Sequence, residues 1–289
     1  MQKETTEVPS KVYAKGIETM IAFKLAWHQA IFERRSRRQF TAEPISKDII
    51  NSLNGFSSEL NGSFDGVKII LVMEKAEEIF RGAVGSYGKI KGAPAYAAFI
   101  GDNRDINVQE KIGYAGESLI LEATTLGLST CWVGGFFRPE IVARQINILD
   151  SESVLAVSPL GYVKEKYSFE EKMMSKMVAS HKRKDINELC DGLPQEKWPG
   201  WVEAALEAAR LAPSAVNRQP WRFTVDKNAI KVSVDNLKHS HNISKRLDCG
   251  ISMLHLEVGA FSKGVAGEWE YLTDPEVAVF RVADGEWEL

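Results

Sequence analysis

A chain of 289 residues with 44% apolar and 26% charged residues is long enough to bury two packed halves around a substantial core. The formal net charge of −3 gives no electrostatic reason to expect nucleic acid as a partner. No apolar run reaches the length of a membrane span, the polar start MQKETTEVPSKVYAKG lacks a signal-peptide core, and Cys131, Cys190 and Cys249 are too scattered for a disulfide framework or zinc site, so the expectation is a reduced, cytoplasmic protein.

In chain order, Ile21, Leu25 and Phe32 recur at helical spacing, widened by Trp27 and Ile31, and predict a core-facing first helix. It runs into Glu33-Arg34-Arg35-Ser36-Arg37-Arg38-Gln39-Phe40. Clustered arginines repel one another, so this segment reads either as a solvated basic face or as an anion site, since arginine's planar fork suits phosphate. Ser46 caps a short helix ending near Asn54-Gly55. Val67–Met73 reads as a buried strand, Glu74–Phe80 as a helix and Ala95–Ile100 as a second strand.

Gly113–Ala123 is a strong helix pattern that stops at Leu126-Gly127. Ser129–Phe136 follows as a strand leading into Gly134-Gly135, where a backbone without side chains can approach a planar ligand closely; a plain tight turn is the other reading. Arg138–Ile146 predicts a helix and Val154–Tyr162 a strand. From Lys164 to Lys184 seven Lys/Arg stand against three Glu. Then the apolar run Trp201–Ala209 predicts a helix ended by Pro213, and Trp221–Val225 alternates as a strand. Between them Pro213-Ser214-Ala215-Val216-Asn217-Arg218-Gln219 is a polar loop pinned by rigid elements.

That loop resembles the Pro-Ser-Ser-x-Asn-x-Gln-Pro-Trp segment of the nitroreductase-like flavoproteins, which bind FMN. Arg34, Ser36, Arg38 and Phe40 match the family's Arg-x-Ser-x-(Arg/Lys)-x-Phe pattern, and Leu160-Gly161-Tyr162 its strand ending. The resemblance implies an α+β nitroreductase-like fold with central sheets flanked by helices. It implies that Arg34, with Arg35 beside it, and Ser36 face the FMN phosphate and ribityl chain, and that Arg38 approaches the pyrimidine edge. Backbone from Val133, Gly134 and Gly135 would lie against the flavin, with Ser86 and Lys89 as weaker candidates. One of Lys182, Arg183 and Lys184 would meet the phosphate, and Pro213, Ser214, Ala215 and Asn217 would complete the site. Flavin carries the chemistry, so no protein catalytic residue and no metal are expected.

An internal repeat divides the chain. Gly113 precedes Gly127 by 14 residues and Gly127 precedes Trp132 by 5; Gly250, Gly264 and Trp269 repeat both intervals. The expectation is two unequal homologous halves, 1–185 and 186–289, forming a pseudo-dimer within one chain. The arginine segment survives in the first half and the polar loop in the second, as in a fused, single-chain nitroreductase. The implied function is an FMN-dependent NAD(P)H oxidoreductase acting on a nitroaromatic, quinone or similar small molecule by a ping-pong mechanism. The chain would work as a monomer with one FMN. A non-catalytic FMN carrier or sensor is the alternative.

Overall fold

The computed structural model describes residues 25–74, 76–80, 90–168, 171–173, 182–238 and 242–283. The weaker flavin candidates Ser86 and Lys89, and residues 169–170 and 174–181 of the basic run after Lys164, lie outside them.

Residues 25–33 are helical (α1) and bury Trp27, Ala30 and Ile31, whereas Leu25 and Phe32 are each 51% exposed. The expected stripe through Leu25 and Phe32 is therefore rotated: the indole of Trp27 sets the inward face by donating to buried Glu122 (2.8 Å). Helix α2 (Lys47–Ser63) starts at Ser46, whose hydroxyl accepts from Ile49 N, but it continues past Gly55. Leu53 and Leu60 carry its buried face onward, and one internal glycine costs only about 1 kcal/mol. Then follow β1 (Val67–Val72), α3 (Ala76–Phe80), β2 (Ala95–Asp102), α4 (Val108–Thr125), β3 (Ser129–Thr130), α5 (Pro139–Ile146) and β4 (Glu152–Gly161). The second half comprises α6 (Ile186–Leu189), β5 (Cys190–Gly192), α7 (Gly200–Arg210), β6 (Trp221–Val225), β7 (Ala229–Val234), α8 (Lys245–Phe261), β8 (Gly267–Tyr271) and β9 (Glu276–Val282), with short 3-10 turns at Gln195–Lys197 and Ala215–Asn217.

The two sheets repeat one topology. The first has the order β1-β2-β4-β3; the second has β6-β7-β9-β8, with β5 added in parallel at the edge beside β6. In each, the long helix follows the second strand. The chain is thus an α+β pseudo-dimer of two unequal halves.

Helices α4 and α8 form its axis. Both are buried along nearly their whole length, because sheets and neighbouring helices, α2 on α4 and α7 on α8, cover them besides the opposite helix. They cross at the two glycines singled out by spacing. A Cβ on Gly113 would fall 2.1 Å from the Leu247 carbonyl oxygen, and one on Gly250 would fall 2.0 Å from that of Glu110. Each contacted carbonyl lies three residues before the partner glycine, the reciprocity expected of a two-fold contact. Charged groups buried at this seam are paired across it, as burial requires. Arg246 binds Glu110 (2.5 Å), the Tyr114 hydroxyl donates to Glu257 (2.7 Å), and His255 meets Glu117 (2.9 Å). One hydrophobic core runs through both halves, from Leu53 and Phe99 to Trp221 and Phe280.

Candidate functional site

Residues 36–40 leave α1 as extended chain. Ser36 bridges Thr130 in parallel, and Arg37 N donates to Thr130 O (2.9 Å), so the arginine segment is laid beside β3. Buried Glu171 holds it from outside: its Oε1 accepts from Arg37 Nε (3.2 Å) and from the backbone N–H of Arg38 (2.9 Å) and Gln39 (3.3 Å). This anchoring consumes Arg37 and leaves Ser36 and Arg38 facing inward. Beyond β3, Val133 bridges Val157 on β4, which fixes the start of the Gly134-Gly135 turn.

From the other half comes the loop after α7. Its backbone is strained: Val216, Asn217 and Gln219 have φ of 49°, 56° and 48°. A β-branched residue in the left-handed region costs about 1–2 kcal/mol and persists only where surroundings impose it. Those surroundings are visible. Ser214 Oγ accepts from Gln219 N (2.9 Å), the Gln219 carboxamide accepts from Lys184 N (2.9 Å), and Asn217 donates to Lys182 O (2.8 Å). Asp248, buried in the first turn of α8, accepts from Ala215 N (3.1 Å) and Arg218 Nε (2.7 Å). Arg218 also donates to the carbonyls of Ile243 and Ser244 at that helix start. Burial pushes the Asp248 carboxyl up to about 6, and the Arg218 charge with these hydrogen bonds offsets only part of the rise.

Between the two segments lies a cleft of about 800 Å³. Ser36, Arg38, Val133, Gly134 and Gly135 line it from the first half, and Pro213, Ser214 and Ala215 from the second. Eight of the residues expected from sequence thus line one cleft. Trp132, Ile243, Leu247 and Ile251 supply apolar surface, and Asp248 adds a carboxyl; spacing singled out Trp132 only as a repeat marker and the others not at all. A more open cleft of about 1480 Å³ adjoins it, sharing Gly134, Gly135, Ile243 and Leu247.

Arg34, Arg35, Lys182, Arg183 and Asn217 are not in the cleft wall. Arg34 is buried, with Nε 3.7 Å from Glu117 Oε1, and among the described residues its Nε and Nη1 have no hydrogen-bond partner. Arg35 is exposed and turns back onto the carbonyls of Phe32 and Arg34. Asn217 points at the basic segment, accepting from Arg183 Nη1 (3.0 Å). Lys182 is exposed and contributes its carbonyl, while Lys184 Nζ is spent on the carbonyls of Arg218 and Gln219. Of the three basic candidates, Arg183 faces the arginine segment of the first half: burial, then the charges of Arg34, Arg35 and Arg210, pull its guanidinium down to about 10. Like charges gathered here, with unbonded N–H groups on Arg34, are a donor set of the kind that suits an anion. Cleft and cluster together fit a planar ligand carrying a phosphate.

The comparisons agree with this architecture. The family model described as "Putative TM nitroreductase" matches residues 27–260, and the chain belongs to that nitroreductase-type family of oxidoreductases. Among solved structures, the chain is similar to a protein from Thermotoga maritima MSB8 described as a "putative nitroreductase", at 16% identity over 89% of this chain and 93% of that one, with a TM-score of 0.60. A nitroreductase family protein from Clostridium novyi NT matches at 19% identity over 48% of this chain and 86% of that one (TM-score 0.41). A protein from Parabacteroides distasonis ATCC 8503 described as a "Putative NADH dehydrogenase/NAD(P)H nitroreductase" matches at 23% identity over 49% of this chain and 89% of that one (TM-score 0.42). No curated protein matches.

Proposed function

We propose that the chain is an FMN-dependent NAD(P)H oxidoreductase that reduces a nitroaromatic, quinone or similar small acceptor. The observation that carries this reading is one cleft that gathers the polar motifs of both halves and adjoins a buried arginine with unbonded N–H groups. When bound, FMN supplies the hydride chemistry. Arg34 and Arg183 would hold its phosphate with Ser36, and Arg38 would stabilise negative charge at the pyrimidine edge. The Val133–Gly135 backbone would orient the ring from one side and Pro213–Ala215 from the other. Trp132, Leu247 and Ile251 keep water from the ring-binding surface. The adjoining open cleft gives a nicotinamide donor and an acceptor the same entrance, so donor product must leave before acceptor binds.

Two measurements test this. The purified protein should be yellow and release FMN on denaturation; release of FAD, or failure to take up FMN on reconstitution, contradicts the reading. Steady-state NAD(P)H oxidation with a quinone acceptor should give parallel double-reciprocal lines. Intersecting lines would refute a shared entrance, and FMN binding without turnover would make the protein a carrier.

A further inference from the structure

Glu117 is fully buried on α4, and three side chains converge on its carboxyl group. Trp132 Nε1 donates to Oε2 (2.6 Å), His255 Nε2 lies 2.9 Å from Oε1, and Arg34 Nε lies 3.7 Å from the same Oε1. His255 comes from α8, in the other half, and is itself fully buried. Its second ring nitrogen, Nδ1, is 3.1 Å from the Ala208 carbonyl oxygen. A carbonyl only accepts, so Nδ1 carries a proton. The contact between Nε2 and the carboxyl needs one more, held by the ring or by the carboxyl. In either arrangement Glu117 and His255 together have no net charge.

The consequence falls on Arg34. A lone carboxylate 3.7 Å away would cancel much of the positive charge that Arg34 offers an anion. Paired with His255, the carboxyl can orient Arg34 and Trp132 without that cost. We propose that His255 is a positioning residue of the cofactor site: by balancing Glu117 it leaves the charge of Arg34 available for the flavin phosphate. The second half then contributes to the phosphate site from beneath as well as through its polar loop. This inference rests on the FMN reading above.

The test compares FMN with riboflavin, which lacks the phosphate, by fluorescence titration of apo-protein. His255→Gln keeps a hydrogen bond but leaves Glu117 uncompensated, so FMN affinity should fall by about tenfold while riboflavin affinity holds. Adding Glu117→Gln to His255→Gln removes the stray charge and should restore the FMN preference. Equal losses for both flavins, or a double variant no better than His255→Gln, would overturn the proposal. Should His255→Gln fail to fold, Glu117→Gln alone decides: a neutral amide facing the ring adds no negative charge beside Arg34, so the FMN-to-riboflavin ratio should stay at the wild-type value. A shift of about tenfold in either direction would refute the charge balance. Wild-type protein that binds no FMN would count instead against the proposed function.

Discussion

Asp248 ties the strained loop to α8 from inside the cleft wall, and its environment makes stability depend on pH. With its carboxyl at about 6 against an ordinary 3.8, the folded protein holds a proton that the unfolded chain has released. That contribution is fully present below about pH 4 and is lost as pH rises through about 6; a two-unit shift corresponds to about 3 kcal/mol. Asp248→Asn should lack this component, since a carboxamide does not titrate in this range. Urea unfolding of both proteins between pH 4 and 7 should show the wild type losing stability relative to the variant, and parallel profiles would contradict it. Arg34→Ala should weaken FMN binding by about 1.5–3 kcal/mol, the strength of a charge-assisted hydrogen bond; unchanged affinity by equilibrium titration would remove Arg34 from the site. The arginine segment and polar loop were legible because both are compact strings of unusual residues. Asp248, Glu117 and His255 were not, because their partners Arg218, Trp132 and Ala208 are brought to them only by packing. The available signal was an ionisable side chain within a buried helical stretch, as at Glu117 and His255.

At the scale of elements, the crossing of α4 and α8 positions everything else. The equal spacing of Gly113–Gly127–Trp132 and Gly250–Gly264–Trp269 marked the repeat but not the crossing; glycine recurs at its first position because close helix contact demands a missing Cβ at the same place in each copy. Gly250→Ala would drive a methyl group against the Glu110 carbonyl, a backbone atom that cannot turn aside. The expected cost is about 1–3 kcal/mol, as for overpacking elsewhere, read as a lower urea midpoint with unchanged slope. An unchanged midpoint would mean that the helices separate freely. Helix α2 shows where pattern reading fails. Asn54-Gly55 looks like a stop, yet the helix runs on to Ser63 because Leu53 and Leu60 share a buried face. Tertiary burial outweighed the local breaker.

At the scale of the molecule, the two halves share a sheet topology but not a site. Where the second half forms its polar loop, the first half has the helical residues 57–63 of α2; where the first half offers Ser36 and Arg38, the second has Lys184 bound to its own loop carbonyls. A join near residue 185 is our proposal for where one copy ends. On the proposed function, one chain holds one complete cofactor site, drawn from both halves. Equilibrium titration of apo-protein with FMN tests that claim most directly. Binding should saturate at one FMN per chain, and Arg38→Ala and Asn217→Ala should each weaken that same single event. Saturation at two FMN per chain with similar affinities would contradict the account.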